Sequence, residues 1–66
     1  MSEVVFSIKS NAKTPEEVLE AIESQTDWFY SRDEDLTHAE KLGEVEESMG
    51  FGFITADGEN VTMWMC

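Results

Sequence analysis

The feature that most constrains the fold is an Asp-Gly pair between two apolar runs near the C-terminal end of the chain. Asp57-Gly58 lies between residues 50–55, which include two phenylalanines, and residues 61–65, which include a tryptophan and two methionines. An Asp-Gly pair in this setting is typical of the turn of a β-hairpin. The sequence therefore predicts a C-terminal antiparallel hairpin.

The loop length sets the register of this hairpin. A two-residue loop pairs Ile54 with Val61, whereas a four-residue loop pairs Ile54 with Met63. Both registers divide the apolar side chains between two faces. One face carries Ile54, Val61, Met63 and Met65 together with Gly50 and Gly52, whose missing side chains allow a helix to come close. The other carries Phe51, Phe53 and Trp64. Since both faces are apolar, the second must be covered by a second helix, the aromatic turn 28–30, another copy or a partner.

The first half of the chain predicts a strand followed by a helix. Alternation over residues 4–9 is typical of a half-buried strand, with an inner face of Val4, Phe6 and Ile8. A helix start follows. Thr14 is the expected N-cap, Pro15 suits the first helical position, and Glu17 completes a capping box with Thr14. The helix either runs through the aromatic residues 28–30 or breaks near Thr26-Asp27, and its apolar row is Val18, Leu19, Ile22 and Phe29.

Residues 31–48 predict a second helix with a thin apolar row. Asp33 or Asp35 is the expected N-cap, and Gly43 is the expected C-terminal stop. The pattern of residues 44–48 fits a continuation of the helix, a loop or the start of a strand. The predicted fold is a small α+β domain of order β-α-(α)-β-β that spans residues 1–66, with the hairpin packed on one or two helices.

Several functional classes are excluded by composition. Cys66 and His38 are the only cysteine and histidine, which excludes an internal disulfide and a Cys/His zinc site. No apolar run approaches the roughly 18 residues that cross a bilayer, and no signal peptide is visible. We therefore expect a cytoplasmic protein without a cofactor.

Metal binding and catalysis are both disfavoured. Asp33, Asp35, Thr37 and Glu44 match positions of a calcium loop, but His38 stands where that loop needs glycine. A capped acidic helix explains these residues better. The many carboxylates lack a cleft that would set their pKa values, since a chain of 66 residues has little volume beyond its core. We expect neither a metal site nor an enzyme.

The charge of the chain is concentrated in its middle. The net charge is −11, and residues 16–47 alone hold twelve acids against two bases. Such a surface repels nucleic acid phosphates and anionic lipids. The expected partner is therefore a basic protein surface, with no direct nucleic acid binding and no membrane binding.

These properties give two functional hypotheses. The first is a small acidic inhibitor or regulator of a basic, nucleic-acid-binding protein, whose carboxylates present a phosphate-like array. In size and charge the chain resembles the small acidic phage inhibitors that mimic DNA, such as uracil-DNA glycosylase inhibitors and some anti-CRISPR proteins. The second is a structural or interaction module, either an accessory subunit or a homodimer through the apolar hairpin face of Phe51, Phe53 and Trp64.

The first hypothesis assigns two kinds of contact to the acidic middle of the chain. Exposed carboxylates steer a basic partner, and aromatic anchors slow its dissociation. The phosphate-like array also includes three acids of the first predicted helix, Glu16, Glu20 and Glu23. The predicted partner-binding residues are Asp27, Trp28, Tyr30, Asp33, Glu34, Asp35, Glu40, Glu44, Glu46 and Glu47.

Overall fold

The computed structural model describes residues 3–29 and 35–65. In chain order these form β1 (Glu3–Lys9), α1 (Pro15–Gln25), α2 (His38–Phe51), β2 (Ile54–Ala56) and β3 (Asn60–Met65). The three strands make one antiparallel sheet in the order β1-β3-β2, so β3 is the central strand. The predicted α+β class and the C-terminal antiparallel hairpin are confirmed.

The β2-β3 hairpin has the register of the four-residue loop. Ile54 pairs with Met63, so residues 57–60 form the connection. Asp57 stabilises this turn through its side chain, since Oδ1 accepts hydrogen bonds from the backbone N–H groups of Glu59 at 2.8 Å and Asn60 at 2.7 Å. Gly58 has a φ of 88°, in the left-handed region that favours glycine. The Asp-Gly pair thus has a physical role at both of its positions.

The inner face of β1 is shorter than the alternation predicts. The register shifts between Val4, which pairs with Trp64, and Phe6, which pairs with Met63. A bulge of this kind moves the residues before it to the opposite face of the sheet. Phe6 and Ile8 pack against the core, whereas Val4 is 52% exposed. The prediction that Val4 belongs to the inner face is wrong for this reason.

Helix α1 begins as its sequence predicts. The backbone N–H of Glu17 donates to Thr14 Oγ1 at 3.3 Å, and the Glu17 carboxylate accepts from the Thr14 N–H at 3.1 Å. The capping box is therefore complete. The helix ends at Gln25, because Thr26 adopts an extended backbone. Of the two alternatives, the break near residue 26 is correct, and Val18, Leu19 and Ile22 are fully buried.

Helix α2 is longer than predicted, and both of its predicted limits are wrong. Thr37, not Asp35, is the N-cap, and it forms a second capping box with Glu40; Asp33 lies outside the described residues. Gly43 does not end the helix, because the apolar row continues through Val45, which is fully buried. Residues 44–48 are therefore a continuation of the helix.

The end of α2 corrects the expected start of the hairpin. Gly52 ends the helix with a left-handed φ of 82°, and the Phe53 N–H donates to the Ser48 carbonyl at 2.8 Å. Gly50 and Phe51 are thus helical rather than part of a strand. A Cβ at Gly50 or Gly52 would meet nothing within 4 Å. The prediction that these glycines let a helix approach the sheet is wrong.

One core joins both helices to one face of the sheet. Its buried members come from the β1-α1 connection, both helices, the segment after α1 and both hairpin strands, and they are Ala12, Val18, Leu19, Ile22, Phe29, Val45, Ile54 and Val61. The radius of gyration of 10.9 Å agrees with the value of about 11 Å expected for a folded chain of this length. Within residues 3–29 and 35–65, no helix is long and apolar enough to cross a membrane.

Candidate protein-binding surface

The acidic side chains are concentrated on the two helices. Together α1 and α2 carry eight carboxylates and one lysine. Both helices lie on the same side of the sheet and pack against each other. We call the exposed carboxylates of α1 and α2 the helical acid layer. Among the described residues no charged side chain is buried, so this charge is presented to solvent.

The acid row of α1 is partly compensated by α2. Glu16, Glu20 and Glu23 follow one another at helical spacing. Lys41 Nζ contacts Glu23 Oε2 at 3.0 Å, and His38 Nε2 lies 3.5 Å from Glu16 Oε1. These contacts join the two helices across an open groove. The α1 row therefore contributes to packing between the helices as well as to surface charge.

The outward side of α2 is different. Glu46 and Glu47 are exposed, and no cation among the described residues is paired with either of them. Gly43 and Gly50 are also exposed and stand at helical spacing with Glu47. Phe51 follows Glu47 by one turn and is 69% exposed. Negative charge and an apolar ring thus lie side by side at the C-terminal end of α2.

Phe51 and Phe53 form an exposed aromatic pair. Their ring centroids are 5.8 Å apart with an interplanar angle of 34°. Phe53 is 37% exposed. The pair borders a shallow groove of about 210 Å³ that is also lined by Glu44, Glu47 and Ser48. This groove is therefore lined by both aromatic and acidic side chains.

The outer face of the sheet is nearly free of acids. Trp64 is half-buried there, and its Nε1–H donates to Thr55 Oγ1 at 3.1 Å. Ser7 Oγ and Thr62 Oγ1 lie 3.2 Å apart on the same face. Since α2 and Phe29 join the inner core, neither of them covers this face. The predicted interface residues are therefore split: Trp64 belongs to β3 and Phe51 to α2, and Phe53 lies between α2 and β2.

The aromatic cluster after α1 is mostly internal. Trp28 packs edge-on against Phe6 at 6.2 Å and Phe29 at 4.6 Å between ring centroids, and its side chain is half-buried. Asp27 and Asp35 are exposed. The other predicted contact residues of this region, Tyr30, Asp33 and Glu34, lie outside the described residues.

Three carboxylates have local structural tasks. Backbone N–H groups of Lys13 and Thr14 hold the pKa of Glu17 below its usual value. The Thr37 backbone N–H does the same to the pKa of Glu40. Hydrogen bonds from the Glu59 and Asn60 backbone lower the pKa of Asp57. Glu40 therefore caps α2 with its carboxylate, which limits its use as a partner contact.

The second half of the calcium-loop spacing lies in a helix. His38 to Glu44, which would be the second half of such a loop, are helical. Within the described part of the chain, no three His, Cys, Asp or Glu side chains are grouped so that they could hold a metal ion.

Comparison with protein-family models, curated proteins and solved structures finds no match for this chain. The function of this protein is therefore inferred from its surface. The sequence analysis missed that Gly43 and Gly50 are helical and that Phe51 belongs to α2 rather than to a strand. Gly52, which ends the helix in a left-handed conformation, was the available signal.

Proposed function

We propose that this protein binds the basic surface of a nucleic-acid-binding protein and inhibits or regulates it by taking the place of the nucleic acid. The observation that carries the proposal is the segregation of charge. Eight carboxylates and one lysine lie on the two adjacent helices, and the opposite face of the sheet is mainly hydroxyl and apolar. A surface that binds phosphates with Lys and Arg is attracted to such a layer.

Electrostatic attraction explains the encounter, and apolar contact explains retention. Long-range attraction between opposite charges raises the association rate and weakens as salt screens it. A slow dissociation rate needs a desolvated anchor near the charges. The exposed Phe51–Phe53 pair beside the acids of α2 supplies one.

The test is retention on the immobilised protein. Purified basic proteins that bind nucleic acid are compared with equally basic proteins that do not, and duplex DNA is added as competitor. The proposal expects selective retention of the first group at low salt and its release by DNA. Equal retention of both groups, or retention that DNA does not affect, would contradict it.

A second candidate function is self-association or docking in a larger assembly through the outer face of the sheet. Val4 and Phe53 are exposed on or beside this face. Because the face carries few acids, two copies of a chain of charge −11 would repel each other least there. Light scattering tests it: a dimer that Phe53→Ala or Trp64→Ala dissociates would support this function, and a monomer at all concentrations would exclude the homodimer.

A further inference from the structure

We infer that the outward side of the C-terminal half of α2 is the contact site for the partner, and that its ligand is a Lys- and Arg-rich segment with an aliphatic anchor. The site consists of Glu46, Glu47, Gly50, Phe51 and Phe53. The inference rests on the proposed function and assigns it a place on the helical acid layer.

Three observations favour this place over the α1 row. Glu23 and Glu16 of that row already contact Lys41 and His38, whereas Glu46 and Glu47 have no cationic partner among the described residues. The second observation is an apolar surface for an aliphatic side chain, which Phe51 and Phe53 expose next to Glu47. Because Glu44 and Glu47 line the same groove as these rings, one basic segment can meet both features.

The glycines of α2 are the third observation. Glycine is the least favourable non-proline residue inside a helix. A Cβ at Gly43 or Gly50 would meet nothing within 4 Å, so packing within the described residues does not require glycine at either position. A missing side chain at Gly50 lets another chain approach the helix backbone beside Glu46 and Phe51.

Two synthetic peptides of equal positive charge test the inference. Both are rich in Lys and Arg; one carries central leucines, and the other has serines in their place. Binding is measured by fluorescence anisotropy at low salt, and the contact residues are mapped by amide chemical shifts. We expect the leucine peptide to bind the wild type at least about tenfold more tightly, with the largest shifts over residues 43–53.

Variants separate the contributions. Phe51→Ser should abolish the difference between the two peptides, because it removes the more exposed ring. Glu46→Lys/Glu47→Lys should weaken both peptides by about tenfold or more, and the matched double variant Glu16→Lys/Glu20→Lys should weaken them less. Gly50→Ala should weaken the leucine peptide although it stabilises the free protein. Circular dichroism and melting confirm that each variant folds.

The outcomes that overturn the inference differ from those that overturn the proposed function. Equal binding of both peptides, shifts confined to α1, or an unchanged affinity in Gly50→Ala would overturn the inference. Self-association of the free protein that Phe51→Ser abolishes would do so too, because a second copy would then cover the site. In these cases the retention experiment still decides the proposed function. Retention of basic nucleic-acid-binding proteins and their release by DNA would support it, and the absence of either would contradict it.

Discussion

Gly43 destabilises α2, and packing among the described residues does not require a glycine at this position. It lies inside α2 with a helical backbone and open space where a Cβ would stand. We expect Gly43→Ala to raise the free energy of unfolding by about 1 kcal/mol, because alanine loses less backbone entropy in a helix. Urea denaturation measures the change.

Gly52 is the matched control for this substitution. It ends the same helix with a φ of 82° and also has open space around it. Gly52→Ala should lower the free energy of unfolding by about 1 kcal/mol, because an alanine is strained in the left-handed region. If both alanines changed stability in the same direction, the assigned end of α2 would be wrong.

Glu40 gives a prediction about pH. The Thr37 backbone N–H lowers the pKa of this carboxyl in the folded protein. A lowered pKa contributes stability that is fully present above the unfolded-state pKa and is lost as pH falls through the folded-state pKa. The wild type should therefore be more stable than Glu40→Gln at neutral pH, and the gap should close on acidification. A gap that stays constant across the acid range would rule out this role.

At the scale of single residues, the sequence predicts what depends on neighbours along the chain. The Thr14 capping box and the Asp57-Gly58 turn are both local, and both are confirmed. Thr37 was missed because Asp33 and Asp35 are equally good N-caps by residue type. The capping box of Thr37 with Glu40 distinguishes Thr37 from these candidates.

At the scale of elements, the ion pair of Lys41 and Glu23 connects the two helices. Lys41 contacts Glu23 at 3.0 Å with side chains 14% and 32% exposed, and its Nζ lies 5.9 Å from the centre of the Phe29 ring. A double-mutant cycle with Lys41→Met and Glu23→Gln should give a coupling energy of about 0.5–1 kcal/mol.

The pair of His38 and Glu16 is the natural comparison. Its atoms are 3.5 Å apart and its side chains are 67% and 69% exposed. The same cycle with His38→Gln and Glu16→Gln should give a coupling energy near zero, because water screens an exposed pair. Equal coupling in the two cycles would mean that burial does not distinguish them.

The limits of α2 and the inner face of β1 show why helices and strands were predicted less accurately than turns. Gly43 is a common helix stop, but here the helix continues because Val45 is held in the core. The bulge between Val4 and Phe6 has no local signal in the sequence, since it follows from pairing with a distant strand. Both errors come from contacts that are far apart along the chain.

At the scale of the whole molecule, the net charge of −11 should limit stability. Repulsion among the acids of the two helices is weakened when salt screens it. The melting temperature should therefore rise from low to moderate salt. It should rise less in Glu20→Lys/Glu47→Lys, whose net charge is −7, since each reversal adds two positive charges to −11. A melting temperature that falls with salt would mean that the carboxylates are paired rather than crowded.

The sequence analysis named every residue of the candidate site except Gly50 as a contact residue, but in two separate groups. The count of acids in residues 16–47 indicates a basic partner. The acids of α1 contact α2, whereas Glu46 and Glu47 point outward near Phe51. This difference depends on how the two helices pack. Phe51 was assigned to the hairpin, and only the true end of α2 brings it beside Glu47.

We propose that the helical acid layer, and not the total charge, binds the partner. Two double variants of equal net charge separate these possibilities: Glu20→Lys/Glu47→Lys on the helices, and Glu3→Lys/Glu59→Lys in β1 and the hairpin turn. For each variant we would measure the retention of basic nucleic-acid-binding proteins that DNA displaces. We expect the helical variant to lose retention by about tenfold or more and the other to stay close to the wild type. Equal losses in the two variants would contradict it.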